Sequence, residues 1–333
     1  MNFKLYVQLF NIISTFCFKQ PIPFADSSLS KQGIHKIAIP DNEDVAVWWS
    51  MKDQKWNAVH DMCPHRQASL SSGIINPITN DIKCRYHGIE FDGCGKCTLI
   101  PSSNYNKNIF SVKNYYIKEK YDLLWIDDTD DNELPFIQVL EEQHYKFPWY
   151  ISLENVPQKI SLENGLDGTH ADHLHHNMIP FLNRYTGRGL INLSSKTIWF
   201  NETGFRSGLY LHDQTKTVDF LFISPYYTYI IDTINTAFSM HIPINDTHTR
   251  YIGSAVFPMK NAIVKNIIKC LTQIFLPFIK YVGNEIHKQD YNVFIEQIKN
   301  IEKYGEQYIY SGSGDIGILL YNKWLKKYGD QEQ

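Results

Sequence analysis

The 333-residue sequence predicts an α+β protein built as two domains, and three patterns in its text carry that expectation. Between about residues 35 and 127, short runs such as HKIAIP, VAVWWS, KWNAVH and GIEFDG alternate apolar and polar side chains, with DQK, NPITND and DGCGK as turns between them. Alternation with period two and tight connections marks antiparallel strands. The acidic stretch DDTDDNELP at residues 127 to 135 ends on proline and reads as a boundary. Beyond it, a helical segment after Pro157 precedes strands across residues 190 to 257 and helical stretches near the end. The expected division is an N-terminal extension over residues 1–17, a β domain over 18–132 and a mixed domain over 133–333.

Taken in order, MNFKLYVQLFNIISTFCF has the outline of a signal peptide. Gln8 and Asn11 break its apolar centre and no small-residue cleavage site follows, so a helix or strand packed on the first domain is expected. No stretch reaches the roughly 18 uninterrupted apolar residues of a membrane span. In the second domain Ile263, Val264, Ile267, Ile268, Leu271, Ile274 and Phe275 recur at helical spacing, interrupted by Lys265 and Lys269, and Pro277 is expected to kink the helix. Packing on the sheet is the expected use of that stripe, with a substrate pocket or a membrane surface as alternatives. Two more helices are expected over residues 284 to 304 and 314 to 327.

A net charge of −3 and the absence of a basic run argue against a nucleic-acid partner. Six cysteines over this length do not form the disulfide framework of a small secreted domain, and a cytoplasmic or other reducing compartment is expected. Cys94 and Cys97 form a CxxC, CGKC, that could be a redox pair; without a following helix, a glycine-containing hairpin is the simpler reading.

Residues 63 to 88 place a cysteine just before a histidine twice, as Cys63-Pro64-His65 and as Cys84-Arg85-Tyr86-His87. Thiolate and imidazole suit borderline and soft metals. A structural zinc site usually pairs cysteine with cysteine and histidine with histidine. Here each half supplies one of each, which suits a [2Fe–2S] cluster with both thiolates on one iron and both imidazoles on the other. With its flanks, CPHR…CRYHGIEFDGCGKC resembles a Rieske domain, including the aromatic residue before the second histidine and the FDGxGxC turn. The resemblance makes Cys63, His65, Cys84 and His87 the cluster ligands.

ENGLDGTHADHLHHN holds Asp167, His170, His173, His175 and His176 within ten residues. Two histidines and one carboxylate on one face of an iron, with open positions for O2, define the non-haem Fe(II) oxygenases. On a straight helix His170 and His173 share a face, whereas His170 and His175 lie about 140° apart. The chain also resembles the Rieske non-haem iron oxygenases, and their Asp-x-x-His-x-x-x-x-His pattern falls on Asp167, His170 and His175. This implies that the helix ends or unwinds between the two ligands, with His173 and His176 as neighbours. It also implies a third ligand in a late helix, where HKQDYNVFIEQIKN offers Asp290 followed by Glu296 and Gln297. Asp167 would hydrogen-bond His170 and reach the cluster of a neighbouring subunit, in a head-to-tail ring, a homotrimer.

The branch that contains pheophorbide a oxygenase and chlorophyllide a oxygenase is similar in VAVWW, CPHRQASLSSGII, FDGCGKC and SGDIGILLYNKWLKKYG. The resemblance implies a C-terminal helix-grip (START-like) domain, a Rieske cluster and a mononuclear Fe(II). It implies electrons from a separate ferredoxin or NAD(P)H-dependent reductase, and O2 used to hydroxylate or oxidatively cleave a large hydrophobic substrate. Membrane association stays open. GSGDIG, at residues 312 to 317, satisfies GxGxxG but lacks the second strand and distal acid of a dinucleotide fold, so it reads as a loop and helix start. The alternative function is a non-catalytic Rieske electron-transfer or redox-sensing protein.

Overall fold

The structure, a computed structural model, describes residues 20–101, 110–141, 144–167, 169–175, 194–210, 216–232, 235–259, 261–310 and 312–329. The expected N-terminal extension over residues 1–17 and His176 lie outside the described residues. Two compact units divide between Pro135 and Phe136.

The first unit is antiparallel β. Its strands are β1 (Ile22–Asp26), β2 (Ile34–Ile39), β3 (Glu43–Ser50), β4 (Lys55–His60), β5 (Ile74–Ile75), β6 (Ile82–Lys83), β7 (Glu90–Phe91), β8 (Cys97–Leu99), β9 (Asn114–Lys120) and β10 (Leu123–Asp127). Six form a sheet in the order β1-β10-β9-β4-β3-β2, and four short ones form a second in the order β5-β6-β7-β8. Val45 to Trp48 are buried on both faces of β3, and Trp48, Leu70, Ile82 and Phe91 join Cys63 and Cys84 in one core. Each large apolar side chain removed from water there contributes about 1.5–3 kcal/mol. Cys63 and Cys84 are therefore set in the wall of a packed core. CGKC forms the β7–β8 hairpin: Gly95 donates its N–H to Asp92 O, Asp92 Oδ1 accepts from the N–H of Cys94 and Lys96, and neither cysteine is in a disulfide.

The second unit opens with α1 (Gln138–Glu141), β11 (Tyr145–Lys146), β12 (Tyr150–Glu154), α2 (Gln158–Gly165) and α3 (His170–Leu174). Strands β13 (Ser194–Asn201), β14 (Gly204–Tyr210), β15 (Lys216–Ile223), β16 (Tyr227–Ile231), β17 (Thr236–Pro243) and β18 (Thr249–Phe257) follow. The chain then forms α4 (Ala262–Ile274), α5 (Leu276–Tyr304) and α6 (Ile316–Tyr328). An eight-stranded antiparallel sheet runs β11-β18-β17-β16-β15-β14-β13, with β12 also paired to β18. Leu162 and Leu166 at the end of α2 meet Phe205, Phe220 and Phe222 of the sheet and Tyr321 and Trp324 of α6. Phe294 of α5 packs on Val156 and Ile160 beside the start of α2. Helices cover the sheet, and the overall class is α+β.

One local expectation is corrected. The apolar stripe of α4 does not pack on the sheet: Ile263, Val264, Ile267, Leu271, Ile274 and Phe275 are exposed, and buried Thr272 marks the inward side. The expected kink at Pro277 is present as a break: the proline sits in the first turn of α5, where a missing N–H costs nothing, and α4 and α5 meet at 75°.

Candidate metal centres

The two Cys–His loops of the first unit share one backbone frame. Cys63 N–H donates to Ala68 O and Gln67 N–H donates to Cys63 O; Cys84 N–H donates to Ile89 O and Gly88 N–H donates to Cys84 O. The residue four after each cysteine is left-handed, with φ of 58° at Gln67 and 72° at Gly88. Glycine adopts this region freely and glutamine at a cost of about 1–2 kcal/mol. Against this common frame the histidines are offset by one residue. His65 follows its cysteine by two and His87 by three, and the imidazole centroids lie 4.5 Å apart.

Burial, with the Cys84 thiol alongside, pushes the Cys63 thiol up to about 11, although the N–H groups of His65 and Arg66 point at its sulfur. A buried thiol in that state needs a cation to become a thiolate ligand. Burial, with His65 and Arg66 alongside, lowers His87 and so favours the neutral form that binds metal. Among the described residues, the group of three donor atoms close enough for one ion is not found here but in the second unit. Two buried sulfurs with two imidazoles outside them fit a dinuclear cluster better than a single zinc.

In the second unit, His170, His175 and Asp290 bring their ligand atoms within 4.8 Å of one another. Asp290 Oδ1 lies 3.5 Å from His170 Nε2 and 3.2 Å from His175 Nε2. His170 is the first residue of α3 and His175 its C-cap, with φ −107° and ψ 11°. The helix therefore ends between them, as the family pattern implied, with Leu174 its last residue and the second histidine its cap. Both imidazoles reach from its two ends toward Asp290, and exposed His173, the partner favoured by helical spacing, is not in the group.

Hydrogen bonding sets which nitrogens carry protons. Gln289 Oε1 accepts from His175 Nδ1–H at 2.8 Å, so the lone pair of Nε2 faces Asp290. Asp167 Oδ2 lies 3.6 Å from His170 Nδ1, while its Oδ1 accepts from the N–H and O–H of Thr169 and from His170 N–H. Burial opposes the charge on Asp167, but the His170 imidazole and Thr169 outweigh it and hold the carboxyl below the usual range. Burial likewise opposes protonation of His170, and Asp167 and Asp290 outweigh it to raise this imidazole. Buried Asp290 Oδ1 has no hydrogen-bond donor. With both imidazoles neutral, two imine lone pairs and a carboxylate oxygen would converge on one point, an arrangement that a bound cation, or a proton on an imidazole, relieves.

A buried polar network that the sequence reading missed surrounds α5. Glu154 on β12 takes His287 Nε2 at 2.9 Å and accepts from Ser152 and Ser161 at 3.0 and 3.3 Å. Since an ionised carboxylate only accepts, Ser161 donates to it and accepts from His241 Nδ1–H at 2.9 Å. Thr228 and Ser239 hydroxyls lie 3.1 Å from the opposite nitrogen. Gln289 adjoins Asp290 in HKQD and was legible as a neighbour; the network joins residues up to 135 apart in sequence and left no local signal.

A family model for the Rieske [2Fe-2S] domain matches residues 23–115. Flavonoid 8-hydroxylase 2 of Ocimum basilicum is 23% identical over 322 residues, covering 86% of this chain and 60% of that protein. Pheophorbide a oxygenase of Arabidopsis thaliana is 26% identical over 259 residues, covering 71% of this chain and 44% of that protein. Residues 23–115 thus form a Rieske [2Fe-2S] domain, and the chain is similar over most of its length to Rieske non-haem iron oxygenases. The chain spans between two-fifths and three-fifths of the length of those two relatives. Its fold is that of dicamba monooxygenase bound to dicamba, at a TM-score of 0.70 and 17% identity over 95% of this chain and 98% of that one. A Rieske oxygenase has a [2Fe–2S] cluster and a mononuclear iron, and the donor sets above fit both.

Proposed function

We propose that the chain uses O2 and electrons from a separate ferredoxin or NAD(P)H-dependent reductase to hydroxylate or oxidatively cleave a large hydrophobic substrate. The observation that carries this is the convergence of His170, His175 and Asp290 in a chain that also has a Rieske domain. Cys63, Cys84, His65 and His87 would hold the cluster, and His170 Nε2, His175 Nε2 and Asp290 Oδ1 the mononuclear iron. When bound, the cluster supplies electrons and the iron supplies O2 activation.

The chain's own side chains prepare that chemistry. Gln289 fixes the His175 tautomer, and Asp167 orients His170 Nδ1 away from the ligand position. In the reading advanced here Asp167 also faces the cluster of a neighbouring chain, in a homotrimer closed by head-to-tail contacts. Ligation through free thiols argues for a cytoplasmic or other reducing compartment. The names of the flavonoid and pheophorbide relatives support a ring-rich, apolar substrate. His170→Ala is expected to abolish substrate-coupled oxygen uptake and lower iron content by one atom per chain, with Rieske absorption intact. Uptake that survives this substitution overturns the assignment and leaves an electron-transfer protein.

A further inference from the structure

Helix α4 and the first turns of α5 turn an apolar face outward: Ile263, Ile267, Ile274 and Phe278 are 72%, 55%, 69% and 61% exposed. This exposure does not come from a detached helix. Thr272 is buried, and its hydroxyl bonds the phenol of Tyr145 on β11, so the inward side of α4 is fixed to the second unit. Patches of this kind mark interaction surfaces. Charge narrows the partner. From Asn261 to Asn284 the chain holds Lys265, Lys269 and Lys280 and no Asp or Glu. A segment with three lysines and no acid is attracted to anionic headgroups, whereas a second copy would offer it no opposite charge.

We propose that α4 and the start of α5 dock this domain on an anionic lipid surface, lying in the interface with the apolar face among the acyl chains. The geometry suits lying rather than spanning. Thirteen residues make α4 about 20 Å long, short of the ~30 Å hydrocarbon core, and the 75° bend to α5 prevents the pair from forming one straight rod. An amphipathic helix with lysines on its polar side binds through buried apolar area plus electrostatic attraction. The inference also bears on substrate supply, and in that respect rests on the oxygenase reading. Phe278 lies twelve residues before Asp290 on one helix, about 18 Å along its axis. A lipid-dissolved substrate would then meet the surface close to the proposed iron.

Flotation of the full chain with vesicles of phosphatidylcholine containing about one-third phosphatidylserine tests this without reading activity, so its failure is distinct from failure of the oxygenase assignment. The chain is expected to float with these vesicles, more weakly with pure phosphatidylcholine and in about 0.5 M salt. Ile267→Asp with Leu271→Asp is expected to cut partition at least about tenfold with Rieske absorption unchanged, and Lys269→Gln or Lys280→Gln about fivefold each. Wild-type protein that stays with the lipid-free fraction, or equal flotation of the double variant, overturns the proposal. So does a double variant that changes the mass of the assembly in lipid-free solution, which would make the face a contact between chains. A double variant with lowered melting temperature overturns it too, by showing the face covered by the chain's own apolar segment.

Discussion

Gln289 is the side chain whose role is sharpest at the scale of single residues. Its amide oxygen takes the Nδ1 proton of His175 and so aims the opposite lone pair at Asp290. Gln289→Leu keeps the volume and removes the acceptor, and is expected to weaken Fe(II) or Co(II) binding at this site about 10- to 100-fold. Titration of the apo site with Co(II), followed by its visible bands, measures the change; unaltered affinity would remove Gln289 from the account. The candidate cluster ligands stood out because donor type and spacing are written locally, in Cys63/His65 and Cys84/His87, whereas helical spacing favoured His173 over His175 and only the family pattern pointed to the latter. Asp290 needed the family pattern, since an acid in a late helix has no local mark. His241 and Glu154 left none, because a polar side chain in a strand is read as exposed until the fold encloses it.

Among the elements, the short hairpins of the first unit show how tightly backbone geometry is specified. Gly95 turns the β7–β8 hairpin with φ 75°, and a Cβ there would lie 1.9 Å from Val112 O. Gly95→Ala combines a disfavoured backbone region with a clash against main chain, and a loss of about 2–4 kcal/mol is expected in chemical unfolding of the cluster-loaded protein. The glycine was readable from DGCGK; the clash was not, because it depends on a loop beyond the strand. Helix α4 shows the opposite failure. Its apolar periodicity was plain, and periodicity identifies a face without saying what covers it. The structure turns that face away from the sheet because Thr272 occupies the inward position. The five residues of α3 are too few for helical periodicity to choose between His173 and His175; only Asp290, from a distant helix, decides.

For the molecule as a whole, the buried network from His287 through Glu154 and Ser161 to His241 ties α5, β12, α2 and β17 together. His241 is enclosed, and burial, with His287 nearby, lowers it to about 3. A histidine that resists protonation only when folded stabilises the fold above its unfolded pKa of about 6.5 and loses that contribution as pH falls toward about 3. Below pH 6.5 the unfolded chain takes up a proton that the native state refuses, and the slope from this one group is about 1.4 kcal/mol per pH unit. Unfolding midpoints between pH 7 and 4 are expected to fall less steeply for His241→Gln than for the parent chain. Parallel curves would mean that the imidazole is not held neutral. Domain count and strand content were visible from alternation and from the acidic proline-ended segment. The tie between elements was not, because it is made by hydroxyls and imidazoles that have no periodic signature.

The matched frame of the two Cys–His loops has one more consequence. Since their hydrogen-bond rings close over the same intervals, unlikeness between the loops resides in which side chain occupies the third and fourth positions, and hardly at all in the main chain. Permuting two adjacent residues, Tyr86→His with His87→Tyr, leaves composition and net charge unchanged yet gives the second loop the Cys-x-His spacing of the first. The interchanged protein is expected to melt like its parent when apo and to fail to develop Rieske absorption on reconstitution; full absorption would show that the one-residue stagger is incidental.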